Sequence, residues 1–237
     1  MIPLKDDNPQ LTTPLLNYFL ILANVLVFLF ELSLNHGAEK AFIFTFGLIP
    51  GHVTGLLSGA LAGAHAHVPA IAPSVALLPI LTSMFIHAGF FHVLFNMWFL
   101  FVFGGNVEDT LGHFGYLVFY LICGVAAALA QTLSNPGSMI PTVGASGAVA
   151  GVMGGYFVLY PRARVLMLVP FIFIFFLWLS AWAVLGYWFV LQFLSGLGSS
   201  LVGAGQGGVA FWAHVGGFVA GVLLVRLFPA RTRRYRY

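Results

Sequence analysis

The sequence predicts an all-α polytopic membrane protein in which six transmembrane helices form one bundle. Of its 237 residues, 60% are hydrophobic and only 6% are charged, whereas soluble domains carry about 25% charged residues. The apolar stretches are also long, and a helix needs about 20 apolar residues to cross the hydrocarbon core of a bilayer. Neither a repeat nor a second domain is visible, so we expect a single membrane domain over residues 1–237.

Six apolar stretches are candidate spans. They lie at about 15–34, 88–107, 114–133, 145–160, 176–194 and 210–228. The first is long enough to cross and follows a polar, acidic N-terminus, so we expect a retained span rather than a cleaved signal peptide. A long loop reaches from the first span to about residue 80. Pro170 interrupts an overlong apolar stretch after the fourth span, which predicts an interfacial or re-entrant segment at 165–175.

The basic residues predict the orientation. With six spans, all but Lys40 fall on one side of the membrane: Lys5, Arg162, Arg164, Arg226, Arg231, Arg233, Arg234 and Arg236. The positive-inside rule makes that side cytoplasmic, so both termini are expected there. The compact layout favours a bacterial inner membrane. The basic C-terminal tail is short and follows a span directly, so we expect it to contact anionic lipid and not nucleic acid.

Polar side chains occur at matched depths in three of the predicted spans. Ser146 and His214 each lie fourteen residues from the cytoplasmic end of their span, or about 21 Å along a helix. His92 and Asn96 fall in the same layer of the second span, on the order of 10 Å below the outer face. Because polar groups are costly inside a membrane and usually functional there, we expect these four side chains to form one site.

The chemistry of this set suggests acyl transfer. A serine with a histidine base is the minimum for a nucleophilic mechanism. The fourth span is short, so its first N–H groups must lie within the bilayer, where lipid cannot bind them. A water-filled cavity that opens outward would solve this and supply water for hydrolysis. Glycines follow both residues at helical spacing and predict a close approach of spans four and six: Gly147, Gly151, Gly154, Gly217 and Gly221. Generic glycine packing around a buried histidine is the alternative.

Donors for an oxyanion are also predicted. His92 and Asn96 share a helix face at i and i+4, and the Ser146 N–H stands at a helix start, where negative charge is favoured. Together they make a plausible oxyanion hole, although His92 and Asn96 could instead tie span two to a loop. His87 is expected to brace that loop. No carboxylate suits a triad with His214, although Glu31 lies near the outer face.

Two other groups of polar residues have simpler interpretations. Glu108 and Asp109 are expected to cap the cytoplasmic end of span two. His52, His65 and His67 lie in the long first loop, but the loop offers neither a cysteine nor an HExxH pattern, so we expect neither a metal site nor a cofactor.

Four motifs occur in order over residues 80–230. They are His92-Val93-Leu94-Phe95-Asn96, Gly104-Gly105-Asn106-Val107-Glu108, Gly144-Ala145-Ser146-Gly147 and Ala213-His214-Val215-Gly216-Gly217. With them the chain resembles the rhomboid family of intramembrane serine proteases. The resemblance implies a rhomboid-like six-helix core that cleaves transmembrane segments of single-pass or polytopic membrane proteins. By position, Ser146 would be the nucleophile and His214 the base, with His92, Asn96 and the Ser146 N–H binding the oxyanion.

The chain departs from the family pattern in two places. Many members have Trp-Arg where this chain has Leu78-Pro79, and some have an aromatic residue at the position of Ala150 that stacks on the imidazole. We therefore expect Trp212 to position His214. The glycine-rich segment 195–208 is expected either to cap the cavity and move for substrate entry or simply to connect two spans.

Two rival functions are an inactive rhomboid relative that binds or chaperones membrane proteins and a small transporter, although no inverted repeat supports the latter.

Overall fold

The structure is a computed structural model that describes residues 2–62, 72–170, 174–202 and 208–229. Most of this part of the chain is helical, as predicted. The helices are α1 (Leu15–Ser33), α2 (His36–Phe46), α3 (Pro50–Ala62), α4 (Pro73–Thr82), α5 (Phe90–Leu111), α6 (His113–Ser134), α7 (Ser146–Leu159), α8 (Ala181–Val202) and α9 (Phe211–Leu224). Short 3₁₀ turns follow α4 at Ser83–Phe85 and α9 at Val225–Leu227.

Four helices of the described chain are long and apolar enough to cross a membrane, namely α1, α5, α6 and α8. The predicted fourth and sixth spans correspond to α7 and α9, which have 14 residues each. A helix of that length extends about 21 Å, which is less than the roughly 30 Å of the hydrocarbon core. Their first turns, which carry Ser146 and His214, are therefore suited to begin inside the bilayer thickness.

The long loop predicted after the first span contains helices. Asn35 caps α2 by accepting a hydrogen bond from the Ala38 N–H at 3.0 Å, and Pro73 occupies the first turn of α4. Both are ordinary start signals for a helix, so the prediction of a loop from 35 to 80 was wrong. His65 and His67 lie outside the described residues.

A three-stranded antiparallel sheet was not predicted. Its strands are β1 (Ile2–Asp6), β2 (Arg164–Pro170) and β3 (Ile174–Ser180), in the order β1-β2-β3. The segment 165–175 is thus mostly strand, because runs of branched and aromatic residues favour strands. The helix α8, which corresponds to the predicted fifth span, consequently starts at Ala181 rather than 176. It continues to Val202, so the first part of the glycine-rich segment 195–208 is helical, and residues 203–207 lie outside the described chain.

The helix α7 forms the centre of the bundle. Every residue from 147 to 156 is buried, and α7 contacts α5, α6 and α9 extensively and α8 less so. The glycine contacts with α9 are as close as predicted, because a Cβ added at Gly217 or Gly221 would overlap the carbonyl oxygen of Gly147 or Gly151. Only glycine allows two helices this approach. By contrast, α8 is the least covered long helix, with 17% of its apolar window buried against 56% for α5.

The acids at the end of α5 cap a different helix from the one expected. Glu108 accepts hydrogen bonds from the N–H groups of Leu16 at 3.0 Å and Asn17 at 2.7 Å. Asp109 accepts from the Leu11 N–H and the Thr12 hydroxyl just before them. The prediction that they cap their own span was wrong, because α1 follows Pro14 without a side-chain cap of its own and its first N–H groups need acceptors.

Candidate active site

Ser146 stands at the first turn of α7 because of the glycine before it. Gly144 has a φ of 127°, a conformation that only glycine adopts readily. Its N–H donates a hydrogen bond to the Ser83 carbonyl at 2.8 Å, which ties the turn to the 3₁₀ segment after α4. This turn places the hydroxyl of Ser146 at the start of a buried helix.

His214 lies in the first turn of α9 and meets Ser146. Its Nε2 lies 2.8 Å from the Ser146 Oγ, and the residue is only 9% exposed. On the other side of the ring, Nδ1 lies 2.9 Å from the Oε1 of Gln192. With the amide oxygen of Gln192 as the acceptor, this contact corresponds to the tautomer that carries the ring proton on Nδ1. Nε2 is then free to accept the proton of the serine hydroxyl.

His92 lies beside the same turn. A Cβ added at Gly144 would be 2.7 Å from both Cε1 and Nε2 of His92 and 3.6 Å from the Ser146 Oγ. The His92 imidazole and the Ser146 hydroxyl therefore both lie next to Gly144. The Ala88 N–H donates to Nδ1 of His92 at 3.4 Å. That bond leaves the proton of a neutral His92 on Nε2, the nitrogen that lies near Gly144 and so close to Ser146.

Asn96 is one turn below His92 on α5 and is buried. Its Nδ2 donates to the carbonyl oxygen of His92 at 2.9 Å. The amide nitrogen carries two hydrogens, so this bond occupies one donor and leaves the other. The described geometry therefore brings Ser146, His214 and His92 together, with Asn96 tied to the backbone of His92.

A comparison with protein families identifies the fold around these residues. The rhomboid domain matches residues 75–231, which is more than half of the chain and includes all four side chains. The chain belongs to the rhomboid family.

Several curated proteins are similar to this rhomboid protein. Rhomboid-like protein 11, chloroplastic, of Arabidopsis thaliana is 44% identical over 71 residues, which is 30% of this chain and 25% of that protein. Rhomboid protein 1, mitochondrial, of Saccharomyces cerevisiae is 30% identical over 150 residues, covering 61% and 40%. Putative rhomboid protease YdcA of Bacillus subtilis is 35% identical over 77 residues, covering 32% and 38%. The matches therefore span less than half the length of each relative.

Two residues of this rhomboid site were missed in the sequence. Gln192 and Trp188 lie one turn apart on α8, and the Trp188 ring is 5.9 Å from that of His214, centre to centre. Trp212, which was expected beside the imidazole, instead packs against Phe193 and donates to the Ser200 hydroxyl at 3.0 Å. An amide in an otherwise apolar span was the available signal, because such a group needs a partner inside a membrane.

Glu31 binds a different part of the rhomboid fold. Its carboxylate accepts from the backbone N–H of His87 at 3.2 and 3.3 Å. The ring of His87 packs edge-on against that of His92, with centres 5.1 Å apart. Glu31 therefore contributes to the support of His92 and is not bonded to His214. Among the described residues, no three histidine, cysteine or acidic side chains are grouped to hold a metal ion.

Proposed function

We propose that this rhomboid protein is an intramembrane serine endopeptidase that uses a Ser146–His214 dyad. The observation that carries the proposal is the 2.8 Å contact between the Ser146 Oγ and the His214 Nε2. Its chemistry is supported by relatives whose names include protease, such as Rhomboid protease GluP of Bacillus subtilis, 35% identical over 75 residues.

In the proposed reaction, His214 Nε2 takes the hydroxyl proton as Ser146 Oγ bonds to the carbonyl carbon of the scissile peptide. The C–N bond then breaks, and His214 delivers that proton to the leaving amine. A water molecule next attacks the acyl-enzyme ester, again giving its proton to His214. The imidazole returns this proton to Ser146 Oγ as the new carboxylic acid leaves.

The negative oxygen of each tetrahedral intermediate needs fixed donors. We assign this role to the backbone N–H of Ser146, the Nε2–H of His92 and the free Nδ2–H of Asn96. The first is supported by its place at the start of α7, where the helix dipole favours negative charge. The second is supported by the hydrogen bond from Ala88, which directs the His92 proton toward Gly144.

A small cavity beside the dyad supports a hydrolytic role. It has a volume of about 30 Å³, and polar side chains of Ser83, Thr142 and Ser146 contribute to its lining. This is room for a water molecule and far too little for a helix. The peptide bonds of a transmembrane helix are hydrogen-bonded and shielded by the helix itself, so a substrate segment would have to unwind locally before Ser146 could attack, which favours substrates with small, helix-breaking residues near the cut.

We further propose one membrane domain with six spans, formed by α1, α5, α6, α7, α8 and α9, with both termini cytoplasmic. The pairing of β1 with β2 holds the N-terminal segment beside the end of α7. A Cβ at Gly155 of α7 would lie 3.4 Å from Val225 after α9, so the end of α9 is adjacent. The basic residues Lys5, Arg164 and Arg226 thus lie toward one end of the bundle, in keeping with the positive-inside rule. A bacterial inner membrane remains a prediction, since relatives come from bacteria and from organelles.

The test is cleavage of a model transmembrane substrate by purified protein in detergent. We expect Ser146→Ala to abolish cleavage and to prevent labelling by a fluorophosphonate probe. Ser134→Ala is the matched control, because that serine lies exposed at the end of α6 and should change neither. An unlabelled wild-type protein that binds membrane proteins without cutting them would instead support an inactive, binding relative.

A further inference from the structure

The imidazole of His214 is held from α8 as well as from α7. Gln192 and Trp188 are four residues apart and share a face of α8. The Gln192 Oε1 lies 2.9 Å from Nδ1, and the Trp188 ring lies alongside the imidazole at an interplanar angle of 35°. Between them they constrain both the proton position and the tilt of the ring.

We propose that Gln192 is a positioning residue for the base, and that its amide oxygen keeps the His214 proton on Nδ1 so that Nε2 can accept from Ser146. The inference rests on the proposed function and deepens it. In serine hydrolases with a triad, a third group orients the histidine through the same nitrogen. Here a neutral amide from a neighbouring helix takes that position, with Glu31 committed to the His87 backbone.

The orientation of the base thereby depends on where α8 lies. Ser146 belongs to the most deeply buried helix, whereas only 17% of the apolar window of α8 is buried. Beyond the buried Ala181 and Leu185 of its first turns, the second half of α8 contacts α9 through Phe193 and Ser200, both of which meet Trp212. Displacing this half of α8 from α9 would break those contacts and would also remove the acceptor from Nδ1. We therefore expect the dyad to be competent only while α8 is packed against α9.

The experiment compares two substitutions of Gln192 in the full-length protein. Gln192→Met keeps the length of the side chain and removes the acceptor, whereas Gln192→Glu keeps an acceptor oxygen at the same reach. The control is Leu191→Met, at a neighbouring side chain that is 43% exposed and away from His214. We expect Gln192→Met to lower kcat about tenfold, equivalent to about 1.4 kcal/mol of transition-state stabilisation, with KM within twofold of wild type. Gln192→Glu should recover most of that loss.

A spectroscopic measurement separates positioning from a general effect on the fold. In protein labelled with ¹⁵N-histidine, protonated and unprotonated ring nitrogens give distinct signals, and the His214 signals are assigned by their loss in His214→Ala. Wild type should show protonated Nδ1 and bare Nε2. In Gln192→Met this preference should be lost.

The possible results are decisive for Gln192. An unchanged kcat or an unchanged Nδ1 signal in Gln192→Met overturns the proposal, and so does an equal loss of kcat in the Met and Glu variants. If wild type cleaves nothing, the proposed function fails, yet the nitrogen signals still report whether Gln192 sets the tautomer. If wild type cleaves and Gln192→Met cleaves equally well, only this inference fails.

Discussion

The Ser146 hydroxyl lies 2.8 Å from the His214 imidazole although 68 residues separate the two positions. Each residue is in the first turn of a short helix, and the two helices touch through backbone atoms. The contact therefore depends on the glycines that follow the pair along both helices, Gly147 and Gly151 on α7 and Gly217 and Gly221 on α9. The alignment of the Ser146 hydroxyl with the His214 imidazole is thus determined by how α7 packs against α9.

Gly217→Ala should damage activity without touching the dyad. The added Cβ would overlap the carbonyl oxygen of Gly147, so α7 and α9 must separate. Overpacking of this kind costs about 1–3 kcal/mol, and a displacement of about 1 Å at a catalytic pair can cost about 100-fold in rate. We expect a fall in kcat on that order together with a lower thermal unfolding temperature in detergent.

The matched control for this packing is Gly198→Ala. Gly198 also lies within a helix, but a Cβ there would meet no atom within 4 Å. It should leave cleavage and unfolding at wild-type levels. Wild-type kcat in Gly217→Ala would show that the close approach of α7 and α9 is not what aligns Ser146 with His214.

Gly144→Ala should impair the site through the turn before Ser146. A φ of 127° is strained for alanine, and the new Cβ would stand 2.7 Å from the His92 ring. Backbone strain of this type costs about 1–3 kcal/mol, and relief requires His92 or the Ser146 turn to move. We expect at least a tenfold fall in the rate of fluorophosphonate labelling.

Gly137→Ala is the comparison for the Gly144 experiment, since that glycine has open space around it. It should label at the wild-type rate. Equal labelling of Gly144→Ala and wild type would mean that the positive φ is not needed to present the hydroxyl.

Glu108→Ala should reduce stability while leaving the dyad chemistry intact. The substitution removes the acceptor for the Leu16 and Asn17 N–H groups and the partner of His113. Each buried donor left without a partner costs about 1–3 kcal/mol, so we expect a loss of about 2–4 kcal/mol in the free energy of unfolding. The rate of labelling per folded molecule should stay near that of wild type.

Glu39→Ala serves as the control, because the Glu39 side chain is 45% exposed and its partner, His36 at 3.6 Å, is almost fully exposed. Its effect on unfolding should be a few tenths of a kcal/mol. An equally small effect of Glu108→Ala would contradict the role of Glu108 as the cap of α1.

The site residues that could be predicted were those whose positions follow from their spacing along the sequence. Counting along the apolar stretches predicted that Ser146 and His214 would lie together, and helical periodicity predicted the glycines that bring their helices close. Trp188 and Gln192 lie inside the predicted fifth span, but the face of that span that meets α9 is set by tertiary packing, which spacing along the sequence does not report. The start of the span was misplaced as well, because the branched and aromatic residues of the paired strands β2 and β3 are as hydrophobic as those of a span.

The acids were misassigned for a related reason. Glu108 lies next to the end of its own helix in sequence, so the nearest N–H groups appeared to be the relevant ones. The backbone N–H groups that it binds are 91 and 92 residues away. Capping across helices depends on tertiary packing, which spacing within one segment does not report.

Trp188 and Trp212 both lie near the site, but of the two only Trp188 lies alongside the imidazole of His214. Trp188→Leu removes the ring that lies 5.9 Å from the imidazole, whereas Trp212→Leu removes an indole that contacts Phe193 and Ser200. Both rings are half-buried, so the two changes remove similar amounts of packing. We expect Trp188→Leu to lower kcat several-fold more than Trp212→Leu, because an unsupported imidazole samples orientations in which Nε2 does not face Ser146. The measurement is steady-state cleavage of one transmembrane substrate by both variants, normalised to folded protein. A larger loss of kcat in Trp212→Leu than in Trp188→Leu would show that Trp212, as expected from the sequence, supports the imidazole.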